Sequence, residues 1–135
     1  WTERWVGVAG FEERDCPSPP DHWQPPATNT PDGAIPDGAV IERCDLALDL
    51  AAWLAERVCR HAGAALFLDY GPAVSAPGDS LQALSGGKPV DPLSEAGTAD
   101  LTAHVDFATL AMIASSRGVK WLGTVPQGRW LRDLG

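Results

Sequence analysis

The sequence predicts an α/β fold, and two observations carry the prediction. An amphipathic stretch over residues 45–61 lies between two short apolar runs, residues 39–42 and 64–69. Strand, helix, strand in that order is a βαβ unit, which implies parallel strands joined right-handed. The second run, Ala64-Ala65-Leu66-Phe67-Leu68, does not alternate apolar with polar residues. That pattern marks a strand buried on both faces, as in a parallel sheet. The run breaks abruptly into Asp69-Tyr70-Gly71, so the strand hands a carboxylate and a phenol to a loop. Polar side chains collected where buried strands end are how open α/β sheets build their sites.

The chain opens with two β-like pieces. In Trp1-Thr2-Glu3-Arg4-Trp5, the residues Trp1, Glu3 and Trp5 share one strand face and Thr2 and Arg4 the other. Ala9-Gly10 can turn and Phe11-Glu12-Glu13-Arg14-Asp15 can return, so residues 1–15 read as a β-hairpin. Its charged residues place it at a sheet edge. Residues 16–38 are different. Seven of the twelve prolines fall between Pro17 and Pro36, with Asp32-Gly33 and Asp37-Gly38 as turn signals. Proline donates no N–H and blocks ladders and helices, so this is an irregular surface loop, long for a compact domain. Residues 39–135 make the remaining portion.

Within it, Leu46, Leu50, Trp53 and Leu54 follow helical spacing and form an apolar stripe that predicts core packing for Trp53. Asp45 and Asp49 suit the helix start, Arg57 and Arg60 its end, and Gly63 stops it. Residues 72–78 read as a loop, 79–84 as a short strand or turn, and 85–89 as another turn. Residues 99–105 read as a polar loop leading into a second helix. Asp106 is its expected N-cap, Phe107, Leu110, Ala111 and Ala114 its apolar face, and Gly118 its stop. Residues 119–125 form a last expected strand. Pro126 can open a short final helix at its first position.

The bulk properties exclude several functions. A net charge of −8 and a pI near 4.6 make a poor electrostatic match for a nucleic-acid backbone. They suit a cationic partner, such as an arginine- or lysine-bearing peptide. The three cysteines (Cys16, Cys44, Cys59) are widely spaced and odd in number, against a disulfide framework or a zinc site. No apolar run approaches the roughly 20 residues that span a bilayer.

Carboxylate and amide side chains are dense: Glu42, Asp69, Asp79, Gln82, Asp100 and Asp106. Such residues usually cap helices, form turns or sit in solvent. Asp69 stands apart, because solvation does not explain an Asp at the end of a buried strand. His104 near Asp100 and Asp106 lacks any recognised metal-ligand spacing, so no metal is expected. There is no Gly-rich phosphate loop, no Gly-x-Ser-x-Gly elbow and no His-Glu-x-x-His helix.

Four strings resemble a known family. They are Ala64-Ala65-Leu66-Phe67-Leu68-Asp69-Tyr70-Gly71, Gly78-Asp79-Ser80-Leu81-Gln82-Ala83, Val90-Asp91-Pro92-Leu93, and Gly97-Thr98-Ala99-Asp100-Leu101-Thr102-Ala103-His104-Val105-Asp106-Phe107. In this order they resemble the MidA family of S-adenosylmethionine-dependent methyltransferases, whose animal relative is a mitochondrial protein arginine methyltransferase assisting complex I assembly. Gly123-Thr124-Val125-Pro126-Gln127-Gly128 with Trp130-Leu131 continues the match, and Trp1-Thr2-Glu3-Arg4-Trp5-Val6 looks like an earlier family strand. The resemblance implies a Rossmann-like class I methyltransferase fold, of which this chain would hold the later strands and helices. The family binds S-adenosylmethionine through a Gly-rich loop and an acidic residue on its first two strands. Neither is here, so none is expected to bind this chain alone, and a second chain or a segment before Trp1 is expected to supply that half.

The resemblance implies methyl transfer to an arginine guanidinium of a protein substrate. Asp69 and Tyr70 are then the candidate catalytic residues, and Thr102, His104 and Asp106 the candidate substrate-binding set. The sequence departs from the family at Pro72, where a His usually follows Asp-Tyr-Gly, and at Glu42-Arg43-Cys44-Asp45, where Glu, an apolar residue and Ser-Pro are usual. These departures leave a second reading, a catalytically inactive methyltransferase-like assembly component. The expected compartment is the mitochondrial matrix for a eukaryotic source and the cytoplasm for a bacterial one. Half of a doubly wound sheet would leave an open edge and bare apolar faces, so the isolated chain is expected to aggregate or hold a partner.

Overall fold

The computed structural model describes residues 2–7, 9–16, 35–94 and 97–135. Most of the proline-rich loop therefore lies outside the described residues. What is described is mixed α/β, with two small antiparallel sheets and three helices.

Strands β1 (Thr2–Gly7) and β2 (Gly10–Asp15) pair antiparallel, from Thr2↔Asp15 to Gly7↔Gly10. Arginines cover the aromatic rings: Arg14 sits 4.6 Å from the Trp5 centroid and Arg4 5.5 Å from that of Phe11. Such contacts shield ring faces that a two-stranded ribbon cannot bury. Arg4 also ties the hairpin to the rest of the chain through an ion pair with Asp79 at 2.5 Å.

Helix α1 (Asp45–His61) forms where its apolar periodicity predicts it. Its buried face is not the predicted one. Ala51 and Ala55 are buried, whereas Leu46 is 81% and Trp53 55% exposed. Small residues let backbones approach closely, so the alanine edge meets α2 while Leu46, Leu50 and Trp53 face away. Trp53 is thus no core residue; the Arg57 guanidinium lies 5.6 Å from its ring. The helix stop also differs. Ala62, not Gly63, takes the left-handed conformation at φ 52°, and its N–H donates to the Val58 carbonyl.

The two runs expected to flank α1 as parallel strands form no ladder. Residues 39–42 and 64–68 are outside any strand, and so is 119–125. The expectation of burial on both faces also fails: Leu66 and Leu68 are 69% and 61% exposed, while Phe67 packs on the core. A strand of that kind needs ladder partners on both edges and helices on both faces. Here α1 and α2 cover one face only.

The second sheet has the order β4-β3-β5, built from β3 (Gln82–Ser85), β4 (Lys88–Val90) and β5 (Asp100–Thr102). Gly86 and Gly87, at φ 57° and 76°, supply the paired left-handed residues of a type I′ hairpin turn. Residues 100–102, expected as loop, are a strand because they satisfy the free edge of β3, with Gln82 opposite Thr102. The alternation Asp100-Leu101-Thr102 is only three residues long, too short to mark a strand by itself.

Helix α2 (Phe107–Ser116) starts behind Asp106 and buries Phe107, Leu110 and Ala114. Helix α3 (Gln127–Leu134) follows Pro126, which is the N-cap and not the first helical residue. The core is small: Ala51, Phe107 and Leu110, flanked by Leu48, Phe67, Val105, Ile113 and Trp121. Among the described residues no helix is long and apolar enough to cross a membrane.

Candidate substrate site

The extended run after α1 ends at Asp69-Tyr70-Gly71, and each of these residues is fixed by backbone chemistry. The Tyr70 N–H donates to Asp69 Oδ1 at 2.8 Å, which turns the Asp69 carboxylate back toward its own chain. The Tyr70 carbonyl accepts the Val105 N–H at 2.8 Å. Gly71 passes so close to this second segment that a Cβ on it would lie 2.0 Å from the Val105 oxygen. Glycine is required there by contact rather than by dihedral. Both Asp69 and Tyr70 stay exposed, Tyr70 at 76%.

The second segment is anchored at both ends. At one end β5 holds Thr102 opposite Gln82, and the His104 N–H donates to Ser80 Oγ at 2.8 Å. At the other, Asp106 caps α2. Its carboxylate accepts the Thr109 N–H at 3.0 Å, Thr109 Oγ1 at 2.7 Å, and Ser75 Oγ at 2.7 and 2.6 Å on its two oxygens. Partial burial pushes the Asp106 carboxyl up, but donation from Ser75 and Thr109, with the Ala108 N–H, outweighs it. The net effect holds the group below the usual carboxylate range, so it is ionised at neutral pH.

A groove of about 1000 Å³ runs between α1, residues 63–71 and residues 118–127. Asp69, Tyr70 and Gly71 lie on its wall, and Asp69 and Lys120 are its charged lining residues. Thr102, His104 and Asp106 are not on that wall; they lie on or beside the segment whose Val105 N–H holds the Tyr70 carbonyl. The structure therefore brings the five sequence-derived residues to two apposed segments, but only the first pair faces the groove. Asp106 has both oxygens engaged by protein donors, which leaves it a structural anchor in this arrangement.

Two serines with parts in this arrangement carried no signal of their own. Ser75 is a buried polar residue, and Ser80 bonds Glu42 through both its N–H, at 2.9 Å, and its hydroxyl. Serine in a loop is too common to single out, and only the spatial partner distinguishes these two. Among the described residues, no group of three or more His, Cys, Asp or Glu side chains is placed to hold a metal ion.

Comparison with known proteins agrees with the family resemblance. Residues 1–125 match the model of a family described as S-adenosyl-L-methionine-dependent methyltransferase. The chain is 46% identical over 82 residues to the mitochondrial protein arginine methyltransferase NDUFAF7 homolog of Drosophila melanogaster, covering 60% of this chain and 18% of that protein. It is 38% identical over 95 residues to mitochondrial NDUFAF7 of Mus musculus and 36% to that of Homo sapiens, in each case 70% of this chain and 21% of the relative. The chain thus spans about a fifth of the length of the curated relatives it matches. A family match over nearly the whole sequence shows that the chain belongs to the S-adenosyl-L-methionine-dependent methyltransferases.

Proposed function

We propose that this chain forms the substrate side of a protein arginine methyltransferase, with Asp69 and Tyr70 facing the guanidinium. The relatives are named as arginine methyltransferases, and the exposed Asp69 carboxylate on the groove wall carries the reading. A guanidinium is always charged and is a weak nucleophile. A carboxylate can grip it through two N–H groups and aim the third nitrogen at an incoming methyl group. Asp69 is suited to this because one of its oxygens takes the Tyr70 N–H, which fixes the orientation of an exposed carboxylate on the groove wall. The Tyr70 phenol, exposed beside it, offers both a ring face for the cation and a hydroxyl acceptor. The excess of acidic residues favours approach of such a substrate.

S-adenosylmethionine supplies the methyl group in this family. The described residues do not fit it. Adenosyl cofactors of class I enzymes need a glycine loop at a helix N-terminus and a separate carboxylate for the ribose hydroxyls. Helix α1 begins at Cys44-Asp45 without glycine, and Asp69 is the one carboxylate on the groove wall. By the relatives' names, the compartment proposed is the mitochondrion, and the Rossmann-like arrangement implied by the family is the proposed context for the unpaired runs 64–68 and 119–125.

The test is Asp69→Asn in the complete enzyme. Methylation of an arginine-bearing protein should be abolished while the fold and cofactor affinity are retained. Unchanged turnover would reduce Asp69 to a turn former. A second reading, a catalytically silent assembly component, is favoured by Pro72 beside the site and by the exposed apolar residues Leu46, Trp53 and Leu122. It predicts no turnover even before mutation.

A further inference from the structure

We infer that Glu42 and Ser80 are positioning residues for the Asp69–Tyr70 end of the site, acting through the backbone of His104 and Val105. The inference rests on the reading of Asp69 and Tyr70 as the substrate-facing pair.

The contacts run without a gap. The Glu42 carboxylate accepts the Ser80 N–H at 2.9 Å on one oxygen and the Ser80 hydroxyl on the other. With its proton committed to Glu42, Ser80 Oγ has lone pairs left over, and one accepts the His104 N–H at 2.8 Å. The next residue, Val105, donates its N–H to the Tyr70 carbonyl at 2.8 Å. Tyr70 in turn donates to Asp69. The pairing of residues 40–42 with 78–80 is pinned at a second point, where the Gly78 N–H donates to the Val40 carbonyl at 2.8 Å.

Two properties make this chain a device for orientation. Most of its links involve a backbone group, so they hold main-chain geometry and not a mobile side-chain tip. The hydroxyl of Ser80 is also its only element that is donor and acceptor at once. Removing it cuts the path between Glu42 and His104, while threonine at the same position keeps both functions. The Glu42–Ser80 bond is charge-assisted and therefore stronger than a neutral pair. Gly71 completes the coupling, since its contact with the Val105 carbonyl leaves the loop no room to shift toward that segment.

The experiment is backbone amide exchange by NMR on the full chain, combined with titration of an arginine-bearing peptide. Ser80→Ala and Glu42→Ala should accelerate exchange at His104 and Val105 by a factor of roughly 5–30 relative to amides of α1 such as Ala55. Ser80→Thr should restore the wild-type rates. Glu56→Gln, which disrupts the separate Glu56–Arg117 pair, should leave the two amides unaffected. Unchanged rates at His104 and Val105, or an equal rise throughout α1, would overturn the coupling. For the peptide, Ser80→Ala should weaken binding and Ser80→Thr should recover it. If Asp69→Asn weakens binding and Ser80→Ala does not, positioning by Ser80 is refuted. If Asp69→Asn also has no effect, the reading of Asp69 fails, and the coupling stands or falls on the exchange rates.

Discussion

Cutting Asp106 back to alanine removes the acceptor from four donors at once: Ser75 Oγ, the Thr109 N–H, Thr109 Oγ1 and the Ala108 N–H. The lost N-cap alone costs about 0.5–2 kcal/mol. Ser75 is buried, and its hydroxyl would be stranded without a partner, which adds about 1–3 kcal/mol. Because Asp106 itself is only half-buried, the lower part of the sum applies, about 2–3 kcal/mol. That is a large fraction of the stability of a small domain. Urea unfolding followed by tryptophan fluorescence would measure it, since Trp121 packs on the same core as Phe107. The pH dependence separates charge from shape. The Asp106 carboxyl is depressed in the folded state, so the unfolded state takes up the proton first. Its contribution is complete above the unfolded value near 3.9 and is lost as pH falls through the lower folded value. Asp106→Asn keeps an acceptor but no charge, so its deficit against the native chain should shrink across that window. A deficit that stays constant from pH 7 to pH 2, or an alanine variant that unfolds at the native midpoint, would refute the account of Asp106 as an ionised anchor.

Ala62→Gly should stabilise the chain by about 0.5–1 kcal/mol, because a Cβ at φ 52° is strained and glycine relieves it; urea midpoints check this. Gly71→Ala should destabilise by about 1–3 kcal/mol and lower the melting temperature, since the new Cβ must displace the Val105 carbonyl. Calorimetry of this chain with S-adenosylmethionine should show no binding, and a micromolar Kd would overturn the misfit of the described residues to the cofactor.

What could be read from the sequence is what short-range chemistry decides. The bounds of α1 follow from its own apolar period and its flanking charges, and Asp106 announces α2 because a cap is a contact within four residues. The β1–β2 hairpin likewise needs only a turn between one alternating run and a run that returns along it. The errors lie where distant chain decides. Trp53 reads as core by size, but which face of α1 is buried depends on what packs there, and Ala51 and Ala55 won. Residues 100–102 read as loop because their strand pairing is donated by β3, some twenty residues earlier. For the candidate site, Asp69, Tyr70, Thr102, His104 and Asp106 could be singled out from motif strings, but which of them line the groove could not. Ser75 and Ser80 have meaning only through Asp106 and Glu42, which are 31 and 38 residues away.

The runs 64–68 and 119–125 show how the unfulfilled part of the fold bears on the site. Each is half satisfied: Phe67 and Trp121 pack against α1 and α2, while Leu66, Leu68 and Leu122 face outward, Leu122 at 83%. An apolar run with one face covered and no ladder partner gains little from being a strand, so its sequence preference is not realised here. Yet Asp69 and Tyr70 do not depend on that ladder for their position. They are held by Val105 and, through His104 and Ser80, by Glu42, all in segments that the described residues contain. The Asp69–Tyr70 turn is thus held locally by contacts that need no parallel ladder, which is why mutations at Glu42, Ser80 and Gly71 can be tested on this chain itself.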